Sequence, residues 1–190
     1  AKLAGVGEQV ANVTAQAMRG ELDFEQSLHA RVATLKGAPV SVIETVANDL
    51  PLMPGLEELV ARLKAHDWKI AIVSGGFTAM TEALKQQLKL DVTIANNLDV
   101  EQSEQGATLS GTVSGKVIDA QAKADAVVAL AKQYDIPMSQ TVAMGDGAND
   151  LIMMDVAQLG VAFHAKPLVR QKADASVARG GLDQLLYFLV

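Results

Sequence analysis

From about residue 51 onward, short apolar runs alternate with segments whose hydrophobic residues recur at helical spacing. The apolar runs are residues 68–73, 92–95, 141–144 and 159–163, and the helical segments include 78–88, 119–134 and 148–157. Strands that alternate with helices pair in parallel, because each helix carries the chain back to the start of the next strand. The pattern predicts an α/β fold with a Rossmann-like parallel sheet and helices on both faces.

The first fifty residues follow a different pattern, because no strand-like run occurs among them. Apolar residues at helical spacing predict one helix over 8–18 and a second that Asp23 caps and Gly37 ends. Pro39 suits the first turn of a third helix. We therefore predict a small helical subdomain over residues 1–50 and an α/β core over 51–190, interrupted by a hairpin between Asn97 and Val113.

Composition restricts the partners of the chain. Its 22 acidic and 16 basic residues give a net charge of -6, which repels nucleic acid and anionic membranes. The chain contains no cysteine, so disulfides, thiolate nucleophiles and zinc–thiolate sites are excluded. We expect a cytoplasmic protein that binds neither nucleic acid nor membranes.

The first unusual loop is Ser74-Gly75-Gly76-Phe77-Thr78, directly after the apolar run 68–73. Ligands of α/β sheets bind beyond the carboxyl ends of the strands. Glycines let backbone N–H groups approach an oxyanion, and a serine hydroxyl adds a donor, so the segment is suited to a phosphate. The alternative is an ordinary glycine turn in which Ser74 caps the next helix.

The second unusual loop is Gly145-Asp146-Gly147-Ala148-Asn149-Asp150, after the run 141–144. It places the carboxylates of Asp146 and Asp150 four residues apart, with the amide of Asn149 between them. Crowded carboxylate oxygens suit Mg²⁺, which takes one or two carboxylates together with waters and phosphate oxygens. The alternative is that Asp146 caps a helix while Asn149 and Asp150 favour its dipole.

Two cations add to this pattern. Lys123 falls in the first turns of the helix over 119–134, where the helix dipole disfavours a positive charge. A phosphate at the strand ends would explain a lysine at that position. Arg31 lies on the apolar side of the second helix and is suited either to extend along that surface or to bind a carboxylate.

In combination, Ser74-Gly75-Gly76-Phe77, Lys123 and the loop 145–150 resemble motifs II, III and IV of the haloacid dehalogenase superfamily. Met18-Arg19-Gly20-Glu21-Leu22-Asp23-Phe24, Ser27-Leu28-His29-Ala30-Arg31-Val32 and Ala165-Lys166-Pro167 extend the similarity. Over essentially the whole chain, the sequence is similar to members that hydrolyse O-phospho-L-serine.

The resemblance implies hydrolysis of O-phospho-L-serine to serine and phosphate with Mg²⁺, through an aspartyl-phosphate intermediate. It implies that Ser74 and the N–H of Gly75 bind phosphoryl oxygens and that Lys123 neutralises the nucleophile and the transferring group. It further implies that Asp146 ligates Mg²⁺, that Asp150 holds the metal through water, and that Asn149 contacts the phosphate. Arg31, on a helical cap, would bind the substrate carboxylate.

The sequence departs from the family at motif I, D-x-D-x-T/S, which supplies the nucleophile and the acid/base aspartate. No two aspartates lie two residues apart anywhere in the chain. The resemblance therefore predicts that the family's first strand and catalytic loop precede Ala1, and that the 190 residues alone are inactive. Two alternatives stay open: a related phosphatase or phosphotransferase with another small substrate, and a non-catalytic fragment that binds phosphate or Mg²⁺.

Overall fold

The computed structural model describes residues 1–104 and 106–189. The chain divides into two compact units. The first unit comprises Ala1–Leu50, Ser74–Leu84 and Ala95–Val117, and the second comprises Pro51–Val73, Lys85–Ile94 and Ile118–Val190. Within the described ranges, every helix falls short of the length and apolarity needed to cross a lipid bilayer.

The elements follow one another in an order that confirms the predicted alternation. They are α1 (Gly7–Met18), α2 (Phe24–Ala33), α3 (Ser41–Asn48), α4 (Leu56–Ala65), β1 (Ala71–Phe77), α5 (Thr78–Leu88), β2 (Val92–Ser103), β3 (Gly106–Ser114), α6 (Ala120–Gln133), β4 (Val142–Gly145), α7 (Leu151–Val156), β5 (Leu159–Phe163), α8 (Pro167–Lys172) and β6 (Ala175–Val177). Short 3-10 segments lie at Met138–Gln140, Ala148–Asp150 and Leu182–Phe188.

The first unit combines the three N-terminal helices with the predicted hairpin. Asp23 caps α2 reciprocally with Gln26, because each side chain accepts a hydrogen bond from the backbone N–H of the other. Strands β2 and β3 pair antiparallel, with Ser103 opposite Gly106 at the turn, which confirms the hairpin. This unit extends beyond residues 1–50, because the helices share a core with the hairpin that contains Leu35, Ile43 and Leu109.

The second unit contains a parallel sheet with helices on both faces, as the sequence predicts. Its strands run in the order β4-β5-β6, and both pairs are parallel. Alternate residues of β5 face opposite layers. Val161 packs with Leu59 and Leu63 of α4, whereas Ala162 packs with the methionines of α7.

A cavity of about 830 Å³ lies within the second unit. It is lined by 71–73 of β1, by 142–144 of β4 and by side chains of α6. These two strands belong to separate three-stranded sheets, with orders β1-β2-β3 and β4-β5-β6. Each is therefore an edge strand of its sheet among the described residues, and both edges line the cavity.

The structure differs from the sequence prediction around β1 and at the carboxyl end of the chain. Strand β1 begins three residues later than predicted and continues through Phe77, so that Ser74–Gly76 belong to the strand and not to a turn. The short elements α8 and β6 were not predicted, because six and three residues are too few to show a hydrophobic period.

Close packing of α7 on β5 depends on Gly160. A Cβ at this position would lie 2.7 Å from the Cβ of Met154 and 2.9 Å from its carbonyl oxygen. We expect Gly160→Ala to lower the free energy of unfolding by about 1–3 kcal/mol, because the helix must shift to admit the methyl group. Thermal melting followed by circular dichroism measures the change.

Gly7→Ala is the matched control for that substitution. A Cβ at Gly7 would have Lys2 Cγ at an ordinary 3.6 Å, and alanine favours the helical conformation. Equal destabilisation by the two alanines would show that packing at Gly160 is not tight.

Candidate active site

The carboxylate of Asp150 accepts three hydrogen bonds in the loop that follows β4. Its Oδ1 accepts a hydrogen bond from Lys123 Nζ at 2.6 Å. Its Oδ2 accepts from the backbone N–H groups of Asp146 at 3.1 Å and Gly147 at 3.0 Å. The side chains of Lys123 and Asp150 are only 9% and 7% exposed, so this is a buried ion pair.

Local sequence explains how the two charges meet. Asp119 caps α6 by accepting from the N–H of Ala122, which places Lys123 in the first turn. Gly145 ends β4 without a side chain, and a Cβ there would overlap the side chain of Asp150. The helix start and the glycine together bring the ammonium and the carboxylate into contact.

Burial determines what this pair can do. Removing two charges from water is costly, and only a short contact with further hydrogen bonds offsets that cost. Asp150 satisfies this condition with three donors. Lys123 has three N–H donors, of which Asp150 takes one, so the ammonium is fixed in position while two N–H groups point elsewhere.

The side chains of Asp146 and Asn149 are exposed beside this pair. Asp146 uses its N–H to hold Asp150, while its own carboxylate faces solvent. Both oxygens of Asp150 already accept hydrogen bonds, which suits contact with a metal through water. An exposed carboxylate fits Mg²⁺, which keeps several waters when bound. Among the described residues, no three Asp, Glu or His side chains gather as a metal site.

The segment 74–76 belongs to the first unit. The N–H of Gly76 donates to Ser74 Oγ at 3.0 Å. Because the serine oxygen accepts in this contact, its own hydroxyl hydrogen remains available to an acceptor other than Gly76. Ser74 and Gly75 are half-buried, so the donors lie near the surface of the unit.

Arg31 also belongs to the first unit, on the last turn of α2. Its Nε donates to the carbonyl oxygen of Ser27 at 3.1 Å, and the side chain is partly buried. Leu28 and Val32 of the same helix pack in a cluster with Phe77 at the end of β1. The helix that carries Arg31 is thus fixed against the strand that carries Ser74.

The structure brings together the predicted residues in two groups. Lys123 and the loop residues Asp146, Asn149 and Asp150 lie in the second unit, whereas Arg31, Ser74 and Gly75 lie in the first. The bond between Lys123 and Asp150 was not predicted from the sequence. The sequence does contain one indication of this bond. A lysine at a helix start is unfavourable because of the helix dipole, and a nearby anion offsets that cost.

Comparison with known proteins identifies the class. Residues 4–155 match the family described as haloacid dehalogenase-like hydrolases. The chain belongs to this family.

Particular relatives are closely similar along the whole chain. The phosphoserine phosphatase of Vibrio cholerae is 54% identical over 189 residues, covering 100% of this chain and 56% of the relative. A substrate-bound phosphoserine phosphatase complex is 39% identical with a TM-score of 0.89, over 99% of this chain and 88% of the other. A phospho-aspartyl intermediate analogue of phosphoserine phosphatase is also 39% identical, with a TM-score of 0.86, over 97% and 87%. The chain spans little more than half the length of its first curated relatives, 56% and 59%.

Loss of the lysine from the buried pair tests its role in folding. We expect Lys123→Met to lower the free energy of unfolding by about 3 kcal/mol, because it leaves a buried carboxylate without its cation. Urea denaturation followed by tryptophan fluorescence measures the change.

Lys132→Met, near the end of the same helix, makes the same change of charge at an exposed position. We expect it to change stability by less than about 1 kcal/mol. Similar losses in the two variants would show that the contact with Asp150 contributes nothing beyond the charge.

Proposed function

We propose that this protein is a Mg²⁺-dependent phosphomonoester hydrolase that converts O-phospho-L-serine to serine and phosphate through an aspartyl-phosphate. The observation that carries the proposal is the buried contact between Lys123 and Asp150 at the carboxyl end of β4. An α/β protein binds its ligand beyond the carboxyl ends of the parallel strands, and a cation fixed there attracts an anionic ligand. The relatives that match nearly the whole chain are named for this reaction.

Phosphoryl transfer requires positioning and neutralisation of charge more than covalent chemistry. We assign that neutralisation to Lys123, whose ammonium is already immobilised by Asp150 and does not have to be ordered during the reaction. The hydroxyl of Ser74 and the N–H of Gly75 bind phosphoryl oxygens, and Asn149 contacts the phosphate.

Mg²⁺, when bound, supplies positive charge that stabilises the transferring phosphoryl group. Asp146 would hold it directly through its exposed carboxylate. Asp150 would contact it through water, because both of its oxygens are engaged by N–H donors. Asp150 thus serves chiefly to fix Lys123 and the loop.

Recognition of serine falls to Arg31 in this proposal. A guanidinium binds a carboxylate with two parallel hydrogen bonds. The bond from Nε to Ser27 directs the side chain along its helix and leaves the terminal nitrogens to face the substrate. In an acidic protein, such local cations decide the binding of an anion, and the net charge does not. The helical subdomain would act as the cap of the site.

The proposed aspartyl-phosphate requires a nucleophilic aspartate and an acid/base aspartate, which we assign to none of the aspartates of these 190 residues. The sequence contains no pair of aspartates two residues apart. We propose that the nucleophile lies on an additional strand that occupies the cavity between β1 and β4. The edge strands on this cavity support the proposal, because an inserted strand would hydrogen-bond to both. A cytoplasmic location is likewise our proposal, from the cysteine-free composition.

Replacing Arg31, the residue proposed to bind the substrate carboxylate, tests the identity of the substrate. We expect Arg31→Ala in the intact natural protein to raise KM for phosphoserine by about 10- to 100-fold, because a charged hydrogen bond to the substrate is lost. Hydrolysis of a phosphomonoester without a carboxylate should change little. Phosphate release at a series of substrate concentrations measures both.

Arg19→Ala is the control, since the exposed guanidinium of Arg19 pairs with Glu21 on the surface of the same unit. Equal loss with both substrates in the Arg31 variant would assign Arg31 a structural role. If the unmodified protein prefers another phosphomonoester, that compound and not phosphoserine is its substrate.

Removing one charge from the proposed metal ligand tests the Mg²⁺ site. We expect Asp146→Asn to lower kcat and to raise the Mg²⁺ concentration for half-maximal activity at least about tenfold. Asp155→Asn, on the exposed face of α7, should leave both unchanged. An unaltered Mg²⁺ titration of the Asp146 variant would show that the loop only caps a helix.

The proposal that the nucleophile lies elsewhere is tested with a polypeptide of residues 1–190 alone. We expect it to release no phosphate and to melt without a sharp transition, because the strand edges that line the cavity keep polar backbone groups without strand partners. Each such group costs about 1–3 kcal/mol. Mg²⁺-dependent activity equal to that of the intact natural protein would contradict both the assignment and the mechanism.

A further inference from the structure

Asn96 is a polar residue in the interior of the first unit. It lies on β2 and is only 2% exposed. Its Nδ2 donates to the carbonyl oxygen of Gly75 at 3.0 Å. The backbone carbonyl oxygen of Asn96 accepts a hydrogen bond of 3.1 Å from the hydroxyl of Thr78, the first residue of α5. Asn96 thus contacts the chain on both sides of the junction between β1 and α5.

The contact with Gly75 fixes one peptide plane. The carbonyl of Gly75 and the N–H of Gly76 belong to the same planar unit. Asn96 holds the carbonyl end, and Ser74 Oγ accepts from the N–H end at 3.0 Å. A peptide between two glycines rotates easily, because neither residue has a Cβ to restrict it. The two hydrogen bonds replace that missing restriction.

The orientation of this plane determines which donors reach a ligand. While Gly76 donates to Ser74 Oγ, the serine hydroxyl hydrogen is free to point to an external oxygen. Rotation of the plane would withdraw the N–H from the serine oxygen and would turn the carbonyl of Gly75 towards the anion. A carbonyl oxygen facing a phosphate is repulsive.

We propose that Asn96 is a positioning residue that holds the peptide between Gly75 and Gly76 in the orientation that binds a phosphoryl group. This inference rests on the proposed function, in which Ser74 and Gly75 bind the phosphate. Asn96 itself touches no substrate and acts through Gly75.

The test compares two identical substitutions at neighbouring positions in the intact natural protein. Asn96→Asp replaces the buried donor by an acceptor that faces the carbonyl of Gly75. Asn97→Asp is the matched control, because Asn97 is exposed and its side-chain oxygen only has to accept from Thr78, at 2.5 Å. Binding is measured with inorganic phosphate as the probe, from the backbone amide NMR shifts of Gly75 and Gly76, and from competitive inhibition of turnover.

We expect Asn96→Asp to weaken inorganic phosphate binding by about 10- to 100-fold, the effect of misplacing a binding group by about 1 Å. The Asn97 variant should bind phosphate as the unmodified protein does. The ratio of phosphoserine KM to that of a carboxylate-free phosphomonoester should stay constant, because Arg31 is not altered.

Asn96→Leu covers the case in which the aspartate variant does not fold, since it removes the donor without adding charge. Unchanged phosphate affinity and amide shifts in a folded Asn96 variant would overturn the inference. An equal loss in the Asn97 variant would also overturn it. If the unmodified protein binds phosphate through Ser74 and Gly75 but does not hydrolyse phosphoserine, the proposed function fails and the inference about Asn96 stands.

Discussion

The buried contact between Lys123 and Asp150 is the interaction on which the candidate site depends. Each charge would be unfavourable in the interior without the other. Asp150 also holds two backbone N–H groups, so the same carboxylate fixes the loop that presents Asp146. One side chain therefore sets both the position of the cation and the path of the chain after β4. If the proposed function holds, a substitution at Asp150 disturbs stability and ligand binding together.

The first unit achieves order at its candidate site by a different means. There the groups are neutral: Asn96 donates to the carbonyl oxygen of Gly75, and Ser74 Oγ accepts from the N–H of Gly76, which constrains a glycine-rich strand end. Neutral donors bind an anion without the desolvation cost of a buried charge. In the proposed function, the two groups of residues bind the anion in two ways, by a paired charge and by oriented peptides.

Much of this arrangement could be predicted from the sequence, because the hydrophobic period and the loop residues are local properties. The alternation of β4, α7 and β5 follows from short apolar runs, and the loop 145–150 is recognisable from its carboxylates and glycines. The extension of β1 through Ser74–Gly76 could not be predicted, since glycines favour turns and the neighbouring strand β2 follows only later in the chain. The partner of Lys123 and the role of Asn96 depend on contacts 27 and 21 residues away along the chain. A local sequence pattern does not show which residues so far apart along the chain are in contact.

The two open strand edges that line the cavity have a consequence for the behaviour of the chain in solution. Unpaired strand edges offer N–H and C=O groups to any extended peptide, and natural proteins usually cover or charge them. Residues 71–73 and 142–144 are apolar and carry no charge. A polypeptide with these edges exposed would pair with other copies of itself, so its solubility during synthesis depends on how soon the edges are covered.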